Sequence, residues 1–168
     1  MEGHRSSHAG KDTGAERRGQ TPRVNRILVV DDDSALRPLI AALLVSSGYR
    51  VDTAEDGLAG WMALQANNYD LLITDNNMPT MSGAELVKKL RSEGVKLPVI
   101  LASGTIPAGD LNRDLRPELA AMLLKPFTAD ELLGTVKAAL FGTERARERI
   151  KPRPAWRSQR SARGLQVC

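Results

Sequence analysis

Two short apolar runs in this chain stop abruptly at aspartate. Ile27-Leu28-Val29-Val30 runs into Asp31-Asp32-Asp33, and Leu71-Leu72-Ile73-Thr74 runs into Asp75, followed by Asn76-Asn77-Met78-Pro79 and then Ser82-Gly83. Runs this short, bounded by turn residues, read as strands buried on both faces. Such strands belong to parallel sheets covered by helices, so neighbouring strands end on the same edge. Three carboxylates would then crowd one crevice and repel one another. A hard divalent cation, which takes oxygen ligands, is the simplest remedy.

Between residues 26 and 141 strand and helix patterns alternate. Strands are expected at 26–30, 49–53, 70–74, 97–102 and 122–124, and the second alternates polar with apolar as an edge strand does. The first helix, 34–47, carries Leu36, Leu39, Ile40, Leu43 and Leu44, with Asp33 as its N-cap and Gly48 as its stop. The second follows Asp56-Gly57 with Leu58, Trp61, Met62 and Leu64. Ser82 and Glu85 have capping-box spacing before Leu86, Val87 and Leu90. Thr128 and Glu131 have it before Leu132, Leu133, Val136 and Leu140, with Gly142 as an end or a bend. The stretch 104–119, interrupted by Pro107, Gly109 and Pro117, admits at most a short helix at 108–115. Five strands alternating with helices predict a parallel α/β sheet with helices on both faces. In such sheets the ligand crevice lies beyond the carboxyl ends of the strands. Asp31, Asp32, Asp75, Ser103 and Lys125 all fall at those ends.

Charge separates the middle of the chain from its ends. The formal charge of +4 divides into +3 for residues 1–26, −5 for 27–141 and +6 for 142–168. An acidic globule is therefore expected at 26–141, between a disordered basic extension at 1–25 and a basic tail at 142–168. Aromatic residues at 4% leave little for stacking on bases, and no DNA-binding module is recognisable. A solvated tail is the plain expectation; contact with nucleic acid or an acidic surface is the alternative. The single cysteine, Cys168, allows no intrachain disulfide. With neither an apolar leader nor a membrane-length run, a cytoplasmic protein is expected.

Four motifs, each at a predicted strand end and in this order, give the chain a resemblance. They are Ile27-Leu28-Val29-Val30-Asp31-Asp32-Asp33, Asp75-Asn76-Asn77-Met78-Pro79 with Ser82-Gly83, Ala102-Ser103-Gly104, and Lys125-Pro126-Phe127. Residues 26–141 resemble a receiver domain of two-component response regulators. The resemblance implies a flavodoxin-like fold of strand order 2-1-3-4-5 and a stand-alone receiver that is no enzyme beyond its own phosphorylation and dephosphorylation. Asp75 would accept a phosphoryl group from a phosphohistidine of a sensor histidine kinase or histidine phosphotransfer protein. Mg²⁺, or Mn²⁺, would be held by Asp32 and Asp75 directly, by Asp31 through water and by the Asn77 backbone carbonyl. Ser103 and Lys125 would hold phosphoryl oxygens, with a cis bond at Lys125-Pro126. Ser103 and Met122 would form the switch, Met122 standing where the family often has an aromatic. Asn77 and Thr105 would tune phosphoryl lifetime at the pocket mouth. The protein would then signal to an unknown downstream protein.

The charges suit this chemistry. Asp31, Asp32 and Asp75 against one dication and Lys125 leave the site near neutral before an anionic phosphoryl arrives. Two other readings compete. An aspartyl phosphatase of haloacid-dehalogenase type would use Asp31 as nucleophile, but Ala35 stands where that motif wants Thr or Val. A flavodoxin-like cofactor binder would need phosphate-cradling glycines where this chain has three carboxylates.

Overall fold

A computed structural model describes residues 23–105 and 115–150. Five strands, β1 (Arg26–Val30), β2 (Arg50–Ala54), β3 (Leu71–Asp75), β4 (Val99–Ser103) and β5 (Ala121–Leu124), form one parallel sheet in the order β2-β1-β3-β4-β5. Helices α1 (Leu36–Ser46), α2 (Gly57–Ala66), α3 (Gly83–Ser92) and α4 (Ala129–Ile150) cross between or follow them. A single 3₁₀ turn, Arg116–Glu118, precedes β5. The first 22 residues, the tail beyond 150 and nearly all of the short helix expected at 108–115 lie outside the described residues.

Every residue of β3 and β4 is buried, as central parallel strands require, and their side chains alternate between two cores. On one face Leu72, Val99 and Leu101 pack with Leu86, Val87 and Leu90 of α3. On the other, Leu71, Ile73 and Ile100 pack with Ile40 and Leu44 of α1 and with Leu132, Val136 and Leu140 of α4. The expected edge strand is at the edge, though its burial does not alternate cleanly. Arg50 and Thr53 are exposed, Val51 and Asp52 half-buried, and Ala54 buried.

The helix ends follow their chemistry. Asp33 accepts from the amides of Ala35 and Leu36 at 2.8 and 3.0 Å, and its carbonyl accepts from Arg37 N–H, so it closes the turn that leads into α1, whose N-cap position is taken by Ala35. Gly48 turns the chain out of α1 at φ +90, a conformation that favours glycine. Both expected capping boxes form, Ser82 with Glu85 and Thr128 with Glu131.

Two expectations about helices need correction. Leu58 and Met62 of α2 are exposed, because the helix rests on its glycines instead. A Cβ on Gly60 would come within 2.8 Å of Val30, so the helix lies closer to the sheet than leucine would allow. Leu39 of α1 is likewise 66% exposed while Ile40 and Leu44 bury. Gly142 does not end α4, which runs on to Ile150. One glycine costs a helix only about 1 kcal/mol relative to alanine, too little to stop one of this length.

Candidate functional site at the carboxyl edge of the sheet

The site is assembled by register. Val30 pairs with Thr74, so the next residues, Asp31 and Asp75, leave adjacent strands side by side and on the same face. Both are buried, at 2% and 6% exposure. Lys125, one residue past β5, reaches across and places its Nζ 2.8 Å from Asp31 Oδ2 and 2.6 Å from Asp75 Oδ1. Its backbone is tied to β4 by an N–H···O bond of 2.8 Å to Ser103, and the Lys125–Pro126 peptide is cis. Burial alone would push the ammonium down. The hydrogen bonds and charges of Asp31 and Asp75 outweigh it and hold Lys125 above the usual lysine range.

The second oxygen of each aspartate is also engaged. Asp31 Oδ1 accepts from the Asp33 amide at 2.9 Å, and Asp75 Oδ2 accepts from the Asn77 amide at 2.5 Å. Arg37 donates to the Asp31 carbonyl at 2.5 Å, a contact that sequence spacing did not suggest. Asp32 is exposed beside this pair.

Among the described residues no other expected site residue accepts a hydrogen bond from the Lys125 ammonium, and Ser103 meets the lysine through the backbone. Ser103 is buried, and its hydroxyl donates to the Thr105 carbonyl at 2.7 Å, turned into its own loop. Thr105 and Asn77 are exposed. Met122 is half-buried on β5, paired with Leu101.

The loop after Asp75 is held on three sides. Asn76 donates to Ala102 O at 2.9 Å, and its carbonyl accepts from Gly83 N–H at 3.2 Å. Gly83 has no room for a Cβ, which would collide with the Asp75 carbonyl oxygen. Gly57 is equally constrained by the Met81 carbonyl. These two glycines dock the starts of α2 and α3 against the loop, a role the motif alone does not reveal. Between them Thr80 adopts φ 68, and Met81 N–H reaches Pro79 O at 2.7 Å, which makes a tight γ-turn at a β-branched residue.

A hard dication fits this donor chemistry. Two buried carboxylates on adjacent strands share one lysine, which leaves them a net negative charge. Among the described residues no three acidic side chains are gathered closely enough to hold a metal as they stand, and Asp32 is exposed.

Sheet order and site together define a doubly wound parallel α/β protein with an acidic crevice at its carboxyl edge. The sequence profile of the response regulator receiver domain matches residues 27–137, and the chain belongs to that family of signalling domains. It is 38% identical over 110 residues to the sensor histidine kinase RcsC of Escherichia coli K12, an overlap of 66% of this chain and 12% of that protein. It is 35% identical over 112 residues to the transcriptional regulatory protein DltR of Streptococcus agalactiae, 67% of this chain and 50% of that one. The chain thus spans half or less of these relatives. Among solved structures, the response regulator TrrA of Thermotoga maritima, in complex with Mg²⁺ and BeF, superposes with TM-score 0.62 at 34% identity. That match covers 70% of this chain and all of the other. Among the described residues, no helix is long and apolar enough to cross a membrane.

Proposed function

We propose that Asp75 is the phosphoacceptor of a cytoplasmic receiver domain, taking a phosphoryl group from a phosphohistidine on a histidine kinase or phosphotransfer protein. The observation that carries this reading is the Lys125 ammonium set between Asp31 and Asp75. A carboxylate oxygen attacking phosphorus needs a cation to receive the non-bridging oxygens, and Lys125 already lies within hydrogen-bond reach of the attacking group. The phosphorus–nitrogen bond to the donor histidine breaks as the bond to the Asp75 oxygen forms.

Asp32, Asp75 and the Asn77 carbonyl would hold Mg²⁺ or Mn²⁺ directly, and Asp31 through water. The cation supplies charge neutralisation between carboxylate and incoming phosphoryl group. That the TrrA structure carries Mg²⁺ and BeF supports the assignment. Lys125 then shifts from the Asp75 carboxylate to a phosphoryl oxygen, and Ser103 exchanges its bond to Thr105 for one to another. Met122 fills the space Ser103 leaves, a task that a flexible thioether can do without an aromatic flip. Asn77 and Thr105, at the rim, set how readily water enters.

The reading extends to a switch or relay intermediate that works through contacts with a downstream protein. Residues 142–168 carry eight Lys/Arg and two prolines. This basic segment suits an acidic surface or nucleic acid.

The alternative phosphatase reading, with Asp31 as nucleophile, is disfavoured. Ala35 stands where that motif wants Thr or Val, and the receiver-domain profile spans residues 27–137. One experiment decides between them. Incubated with acetyl phosphate and Mg²⁺, the protein should gain one base-labile phosphoryl group by intact mass, and Asp75→Asn should gain none. Equal labelling of Asp75→Asn, or loss of labelling only in Asp31→Asn with turnover of a phosphate ester, would refute the assignment.

A further inference from the structure

Asn76 has no part in the chemistry above, yet its side chain is unusually placed. Its Nδ2 donates to Asn77 Oδ1 at 3.3 Å. Its own carbonyl oxygen is buried and meets no donor among the described residues. Proteins seldom leave a buried amide oxygen unpaired, and when they do the group is commonly held in place for a reason other than stability. Its neighbour supplies that reason. Asn77 is exposed, and its backbone N–H already sits on Asp75 Oδ2. Asn76 thus supplies the Asn77 carboxamide oxygen with a donor. Among the described residues the NH₂ end of Asn77 has no acceptor.

We propose that Asn76 is a positioning residue: it holds the Asn77 carboxamide beside the Asp75 carboxylate, where the carboxamide screens a bound phosphoryl group from water and prolongs its lifetime. The inference rests on Asp75 being the phosphoacceptor. In the step it slows, a water oxygen bonds to phosphorus while the bond from phosphorus to the Asp75 oxygen breaks. The carboxylate departs with the electron pair, and the water proton goes to the released inorganic phosphate or to solvent. A carboxamide held at the rim occupies the side from which that water must come. One released from Asn76 swings into solvent and opens it.

The test uses the full chain, labelled with acetyl phosphate and Mg²⁺, freed of excess reagent and followed by intact mass over time. Asn76→Ala should lose its phosphoryl group about two- to tenfold faster than wild type, the rate equivalent of one hydrogen bond. Asn77→Ala should lose it at least as fast, and the double variant no faster than Asn77→Ala, because Asn76 acts through Asn77. Asn76→Leu, which deletes the unpaired carbonyl without leaving a void, should melt no lower than wild type and still lose the group faster. A purely structural residue would not separate the two readouts. Unchanged or slower loss in both Asn76 variants overturns the proposal, as does multiplication of the two single effects in the double variant. A wild type that never takes a label instead refutes Asp75 as acceptor. That failure is visible before any variant is compared, and it removes the inference too.

Discussion

Strand β3 has a buried aspartate at each end, and the fold treats the two in opposite ways. Asp70, just before the strand, accepts from Arg23 at 3.2 Å and from the Arg26 amide at 3.0 Å. The Arg26 guanidinium takes Asp52 at 2.6 Å, bonds Asn67 and lies 5.0 Å from the Tyr69 ring centre. Burial, aided by Asp52, pushes the Tyr69 hydroxyl up to about 12. At this end each carboxylate has a guanidinium of its own. At the other end Asp31 and Asp75 share a single ammonium. The amino edge of the sheet is electrically closed, while the carboxyl edge keeps a deficit of positive charge that a dication and a phosphoryl group can enter together.

The comparison would break most visibly at Lys125. Lys125→Met leaves two buried carboxylates facing each other, and the loss should be about 3 kcal/mol, the low end for a broken buried pair since the lysine is partly exposed. Millimolar Mg²⁺ should restore part of it. Urea denaturation measures both, and a loss below about 1 kcal/mol would show that the lysine neutralises little. Asp70→Asn should cost about 2 kcal/mol through its charged hydrogen bonds and leave phosphoryl capture unchanged. Impaired capture would deny that the two ends are independent. At Thr80 the effect should reverse sign. Thr80→Gly relieves a left-handed β-branched residue and should gain about 1 kcal/mol, read as a higher melting temperature.

The smallest expected effect is the pH dependence. Asp33, Glu85 and Glu131 are held below the usual carboxylate range, chiefly by backbone amides at the starts of α1, α3 and α4. Their contribution is present above the ordinary values of 3.8 and 4.5 and drains as pH falls through the lowered ones. Lys125, raised from 10.5, contributes fully below that value and loses its share as pH rises through the higher one. Helix content by circular dichroism should thus fade at the acid limit, and stability should fall at the alkaline limit. Lys125→Met should lack the alkaline loss.

What the sequence made legible was set by short-range chemistry. Strand ends, the Asp33 turn, both capping boxes and the Gly48 stop each depend on residues within a few positions of one another. The strand order came from the resemblance, and the site residues at one edge followed from parallel topology. The stripe of α3 buries as expected, while the face of α2 differs where contact is made by absence: Gly60 against Val30 is a close approach that a search for apolar stripes cannot register. Lys125 was expected in the crevice, but its position between Asp31 and Asp75, with Asp32 exposed beside them, is a matter of tertiary distance. Arg91 escaped notice for the same reason. Its guanidinium reaches the carbonyls of Val95 and Leu97 and the Glu118 carboxylate, tying the end of α3 to the turn before β5.

Helix α4 begins four residues after Lys125 and continues for 22 residues, about 33 Å. Its first turn is clamped by the Thr128–Glu131 box, and the turns that follow are packed on the sheet through Leu132, Val136 and Leu140, so the helix is fastened to the strands along that length and not only at its base.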